Sequence, residues 1–251
     1  MPNAIFGFSK WLLLLLMLVR TAVAAEASSM DAEAYNNRGI AYYKQGQNDQ
    51  AISHYTKALE INPKYAEAYN NRGLAYYKQG QNDQAISDFT KALEINPKDA
   101  EVYNNRGVVY GLTRQYDQAI SDFTKALEIN PKYAEAYNNR GVVYWRKGQN
   151  DLVISDFNKA LEINPKYAEA YNNRGIAYYN KGQNDQAISD FTKALEINPR
   201  YAEAYSSRAY AYYYLKDYGR AWDDLYKAQE LGAKIDAGFL KNLREASGRE
   251  K

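Results

Sequence analysis

The stretch Lys57-Ala58-Leu59-Glu60-Ile61-Asn62-Pro63 returns unchanged at 91–97, 125–131, 159–165 and 193–199, each copy 34 residues after the last. Upstream of it, Ala32-Glu33-Ala34-Tyr35-Asn36-Asn37-Arg38-Gly39 returns at 66–73, 134–141 and 168–175. The copy at 100–107 differs only in Val102, and a more divergent sixth copy begins at Ala202. A fixed period of this length means stacked supersecondary units that share one continuous core. Each unit reads as two helices. In the first, Ala34 to Lys44 holds good helix formers and no proline, and Gly46 breaks it. Asn48-Asp49 is expected to cap a second helix from about Gln50 to Glu60. That helix carries Ala51, Ile52, Tyr55, Ala58 and Leu59 on one buried stripe. Asn62-Pro63 stops it, because proline disfavours helix in the residue before it.

The totals limit what such a chain does. Among 251 residues, 32 are Lys or Arg and 30 are Asp or Glu. Lys10 and Arg20, both in a leader segment, account for the whole excess. A neutral array lacks the clustered cations of a phosphate-tracking surface, so no nucleic-acid partner is expected. There is no cysteine, which excludes disulfides, thiolate metal sites and a cysteine nucleophile. The single histidine, His54, leaves no material for a multi-histidine metal site. No Gly-rich phosphate loop or nucleophile elbow is present. The chain therefore reads as a non-enzyme, with no catalytic residues, no metal and no cofactor. The glutamates of Ala-Glu-Ala sit at helix starts, where the helix dipole favours them.

The order Tyr35, Gly39, Tyr42, then Ala51, Tyr55, then Pro63, at this period, resembles the tetratricopeptide repeat (TPR) family. The resemblance covers residues 31–234. It implies an all-α fold, a right-handed superhelical solenoid of six helix–turn–helix units (31–64, 65–98, 99–132, 133–166, 167–200, 201–234). A capping helix at 235–246, amphipathic through Ile235, Phe239, Leu240 and Leu243, closes the array, followed by a frayed tail at 247–251.

Two departures from the family stand out. Tyrosine takes the usual tryptophan position. Arg38, Arg72, Arg106, Arg140, Arg174 and Arg208 take the position of a leucine. A buried guanidinium without a partner is costly. Asp88, Asp122, Asp156, Asp190 and Asp224 recur at the same period, so an Arg–Asp ladder, within or between units, is expected. His54 stands in the Asp position of the first unit. In the sixth unit Ser206-Ser207 replace Asn-Asn and Ala209 replaces the glycine.

The resemblance also implies that the first helix of each unit lines a concave groove. The candidate peptide-binding residues there are the paired asparagines Asn36, Asn37, Asn70, Asn71, Asn104, Asn105, Asn138, Asn139, Asn172 and Asn173, with the aromatics Tyr43, Tyr77, Trp145 and Tyr179. Carboxamides donate and accept, so a row of them satisfies an extended peptide backbone whatever its side chains. The second asparagine of each pair resembles the asparagine ladder of long TPR superhelices that hold extended peptides. The aromatics either touch a ligand or pack between units, and near-identical units single out no specialised site. Chaperone-tail-binding TPR domains use a basic clamp; Asn36 and Ile40 stand in that region here, which argues against that activity.

Residues 1–25 stand apart. Lys10, the apolar run Trp11–Val19 and the small residues Thr21 to Ala25 match a secretory signal peptide, cleaved after Ala24 or Ala25, with a linker at 26–30. The alternative is a retained membrane anchor through residues 11–19. Taken together, the expectation is an exported, periplasmic or secreted scaffold that binds an extended peptide or a helix of a protein partner. The mature form would have no membrane contact unless the leader is retained. The alternative function is a structural component of the cell envelope, acting through self-association or its convex face.

Overall fold

The computed structural model describes residues 31–249. The expected signal peptide or anchor, the linker and the last two residues lie outside the described residues. The chain divides into two compact units, one ending at Thr113 and one beginning at Arg114. The first holds α1 (31–44), α2 (Asn48–Ile61), α3 (Ala66–Lys78), α4 (Asn82–Ile95) and α5 (Ala100–Leu112). The second holds α6 (Tyr116–Ile129), α7 (Ala134–Arg146), α8 (Asn150–Ile163), α9 (Ala168–Asn180), α10 (Asn184–Ile197), α11 (Ala202–Tyr214), α12 (Tyr218–Glu230) and α13 (Ala237–Ser247). No strand occurs among the described residues. The odd-numbered helices α1 to α11 are the first helices of the repeats and the even-numbered ones are the second.

Inside each unit, successive helices pack in chain order: α2 on α3 and α3 on α4, then α7 on α8, α8 on α9 and so on to α12 on α13. The stripe read from the sequence is the glue. Ala51, Tyr55, Ala58 and Leu59 of α2 are buried, as are Phe89 of α4 and Phe157 of α8 at the aromatic position. Ala58 and Leu59 cluster with Ala68 of the next repeat, so the stripe fastens a repeat to its neighbour as well as to itself. Each buried aromatic contributes about 1.5–3 kcal/mol through area removed from water. The close approach needs glycine. A methyl built on Gly175 would lie 2.6 Å from Cε1 of Phe191. In the sixth repeat Ala209 carries that methyl, and Leu225 replaces the phenylalanine; both are fully buried in one cluster.

The expected Asn48-Asp49 cap does not form. Gln47 occupies the cap and gives no side-chain bond, and Asn48 is already helical. The turn holds the chain instead, through N–H groups of Gly46 and Gln47 bonded to the carbonyls of Tyr43 and Tyr42. The turn requires a left-handed residue, supplied by Gly46 at φ 74°, but by Arg114 at φ 62° and Lys216 at φ 61° in the third and sixth repeats.

The capping helix starts two residues later than expected. Asp236 caps it by accepting from the Phe239 N–H at 2.7 Å. Ile235 precedes the helix yet still packs on the terminal cluster, in which Phe239 and Leu243 are buried against Trp222 and Leu225. Ser247, expected in the frayed tail, ends the helix and accepts from Nε1 of Trp222 at 3.0 Å.

Candidate functional site

The arginine that departs from the family pattern anchors the second, fourth, fifth and sixth repeats through an acid. Arg72 donates from Nε to Oδ2 of Asp88 at 2.7 Å and from Nη2 to Oδ1 at 2.9 Å. Its third arm, Nη1, donates to Thr56 of the preceding repeat at 3.0 Å. The same fork joins Arg140 to Asp156, Arg174 to Asp190 and Arg208 to Asp224. So the acid partner lies within the repeat and the third arm's partner in the one before: a threonine hydroxyl for Arg72, Arg140 and Arg208, and the Asn158 amide oxygen for Arg174. The guanidinium also lies between two rings: Arg72 Cζ is 5.7 Å from the Tyr69 centroid and 5.8 Å from that of Tyr76. Both flanking tyrosines offer the cation a π-face. Burial pulls the Arg72 pKa down; the hydrogen bonds and charge of Asp88 push it up by more, so the net shift is upward.

The two asparagines of each pair do different things. The first is turned into the junction between repeats: Asn36, Asn104, Asn138 and Asn172 are buried, and Asn70 is half-buried. Asn36 Nδ2 reaches Glu67 Oε1 at 3.2 Å and the Tyr65 hydroxyl at 3.3 Å. The second asparagine then donates backwards: Asn71 Nδ2 to Asn36 Oδ1 at 3.1 Å, Asn105 to Asn70 at 3.2 Å, Asn173 to Asn138 at 3.0 Å. The expectation that both asparagines line an open groove therefore fails for the buried first ones, Asn36, Asn104, Asn138 and Asn172. They fix the orientation of the second. Asn37 is exposed, and Asn71, Asn105, Asn139 and Asn173 are half-buried. In Asn71, Asn105 and Asn173 the ladder bond uses Nδ2 and leaves Oδ1 without a protein donor among the described residues. Burial raises the pKa of Tyr65, with Glu67 and Glu33 adding to it, so this phenol stays neutral and available to accept.

The ladder ends at the sixth repeat. Ser207 stands where a further asparagine would donate to Asn172, and Asn172 Oδ1 is buried with no partner. The Arg–Asp ladder has a matching irregularity at the other end. His54 stacks on Tyr42 at 5.0 Å and tilts against Tyr35 at 5.8 Å, with its Nδ1 buried and unpartnered. Arg38 beside it is exposed.

Most of the aromatic candidates pack between repeats. Tyr43 borders the cluster that contains Ala75, Tyr77 the one with Val109, and Tyr179 the one with Ala211. Tyr179 also meets Tyr214 edge-on at 5.7 Å, and burial together with that neighbour pushes its phenol up to about 12. Trp145 is different. It is 45% exposed, and three clefts in the second unit, of about 200, 310 and 50 Å³, all have it as a wall. The fourth repeat thus differs from the others in its surface. The difference shows in the sequence as the loss of periodicity at Trp145, Leu152 and Val153. Among the described residues there is no cluster of potential metal ligands, and no helix is long and apolar enough to cross a membrane.

Comparison with known proteins agrees with this architecture. The tetratricopeptide repeat model matches residues 66–99, 100–133, 134–167 and 168–201, and a second TPR repeat model matches 41–80. A comparison with curated protein sequences gave no match. Among solved structures, the chain is similar to the APC/C hetero-tetramer Cut9–Hcn1 at 22% identity and a TM-score of 0.75, over 86% of this chain and 42% of that one. This chain thus spans less than half of that relative, and the likeness there is one of fold. It is similar to MamA at 32% identity (TM-score 0.59; 66% of this chain, 96% of that one). It is similar also to YrrB, described as a TPR protein with an unusual peptide-binding site, at 27% identity (TM-score 0.58; 76% and 97%). The repeat models span most of the chain, on helix pairs whose small-residue contacts and aromatic stripe follow the repeat's pattern: the chain belongs to the tetratricopeptide repeat family, whose members are in general non-catalytic scaffolds for protein partners.

Proposed function

We propose that the first-helix face of each unit binds a segment of a protein partner in extended form. One observation carries this reading. The ladder bonds orient Asn71 and Asn105 in the first compact unit, and Asn173 in the second, through their Nδ2 groups and leave their Oδ1 acceptors unused. A row of fixed acceptors suits the N–H groups of an extended backbone, which recur along a strand and carry no sequence information. The orientation is set before binding, so little side-chain entropy is lost on capture. The described peptide-binding site of YrrB supports a peptide as the ligand class.

The test is selection from a displayed random-peptide library on the chain, followed by affinity measurement of the enriched peptides. The variant Asn71→Ala/Asn105→Ala/Asn173→Ala is expected to lose about tenfold or more in affinity, at about 1 kcal/mol per lost bond. Its helical content should be unchanged. Equal affinity for wild type and variant would overturn the reading. For location, the signal-like pattern of residues 1–25 supports action outside the cytoplasm. A mature chain that begins at Ala25 or Glu26 is expected from N-terminal sequencing, and a chain that begins at residue 1 or 2 would contradict it.

A further inference from the structure

The clefts around Trp145 say more about the ligand than the asparagines do. The larger two are apolar sockets that share Trp145 as a wall. One, of about 200 Å³, is floored by Val142, Phe157 and Ala177; the other, of about 310 Å³, runs from Trp145 to Tyr210 past Tyr179. Ile176 lines both as well. Asn173, whose Oδ1 is unused, lines the first.

The charge around the sockets is one-sided. Arg146 borders the first cleft and Lys181 the small third one. Neither has an ion pair among the described residues, whereas the neighbouring Lys147 is paired with Asp117. No carboxylate lines any of the three clefts. Charge-assisted pairs at the edge of an apolar, partly desolvated site are stronger than those in open water.

We propose that this place is a specificity site for an acidic–apolar peptide. Two apolar side chains, two residues apart, fill the two sockets that Trp145 walls, and flanking carboxylates pair with Arg146 and Lys181. Alternate side chains of an extended segment project to one side, which suits two sockets that share a wall. A half-exposed tryptophan beside apolar sockets is the residue type that most often anchors an interface. This inference rests on the extended-peptide reading above and assigns that reading its side-chain chemistry.

Fluorescence anisotropy with a fluorescein-labelled synthetic peptide of core Gly-Asp-Leu-Ser-Leu-Asp-Gly tests it. That peptide is expected to bind about tenfold or more tightly than versions with lysine for aspartate or alanine for leucine. Trp145→Ala should remove a similar factor, and Trp145→Tyr, which supplies the residue found at this position in the first, second, fifth and sixth repeats, should confirm that the loss is not unfolding. Arg146→Glu/Lys181→Glu should reverse the preference between the acidic and basic peptides. Indifference to peptide charge, or full affinity in Trp145→Ala, would overturn the site. If these peptides fail while library-selected peptides still bind in an asparagine-dependent way, the specificity site falls and the extended-peptide reading stands. If no peptide of either kind binds, both fall.

Discussion

Arg140 holds Asp156 with two parallel hydrogen bonds, Nε to Oδ2 at 2.8 Å and Nη2 to Oδ1 at 2.9 Å, with the two side chains 16% and 8% exposed. The pair sits inside one repeat, and the free arm of the guanidinium reaches Thr124 of the repeat before. A desolvated fork of this kind is costly to break from one side only, because the remaining charge stays buried.

Arg140→Ala is therefore expected to lower unfolding free energy by about 3–5 kcal/mol. The double change Arg140→Leu/Asp156→Ala, which returns the family's leucine and removes the orphaned acid, should recover most of that loss. Urea denaturation of the three proteins checks it. A double variant as unstable as the single one would show that the pair's energy lies in its charges and not in avoiding an unpaired one.

Gly175→Ala is expected to destabilise by about 1–3 kcal/mol through overpacking against Phe191. Adding Phe191→Leu should restore much of it, since Ala209 and Leu225 already coexist in the sixth repeat. Thermal unfolding of single and double variants reads out the coupling, and strictly additive losses would contradict the proposed exchange.

Ser207→Asn supplies the donor that the ladder lacks. It should bond to Asn172 Oδ1, now buried without a partner, and stabilise the chain by about 1 kcal/mol. The same asparagine would narrow the cleft that Ser207 lines beside Tyr210. A chain no more stable than wild type in denaturant would count against the ladder as drawn.

His54 confers a pH dependence. Burial first, then the charges of Lys57 and Arg38, hold its pKa below 6.5, with Tyr35 and Tyr42 as its ring neighbours. The unfolded chain therefore takes up this proton first. The stability linked to His54 is present above about pH 6.5 and is lost as pH falls through the folded-state value. His54→Gln should flatten the fall in denaturation midpoint between about pH 7.5 and 5. His54→Asp should raise stability at neutral pH by giving Arg38 the partner that its counterparts have. Parallel pH profiles for wild type and His54→Gln would contradict this.

Much of the architecture was legible because identity at a fixed period leaves few choices. Arg72 with Asp88 is such a case, a charged residue whose partner had to recur in step, whereas Gly39, read as making room for Ala51, makes room for the Tyr55 ring. The role of each asparagine was not legible. Adjacent residues on a helix point about 100° apart, so one of Asn36 and Asn37 must turn toward the next repeat. Which one does so depends on the rotation of α1 against α3, set by packing that the residue pattern alone does not specify. The Gln47 cap was missed for a related reason: Asn48 has the right side chain, but the turn through Gly46 starts the helix one residue early. The Trp145 clefts were hidden by the uniformity of the array, since a departure from the repeat reads as drift until the sockets beside it are seen.

The most direct test of the central claim is side-chain amide NMR of Asn71, Asn105 and Asn173 during titration with a library-selected peptide. The account predicts saturable shifts at these amides, with the buried Asn36 and Asn138 amides, which face the repeat junctions, moving far less. A bound peptide that leaves all three amides unshifted would contradict it.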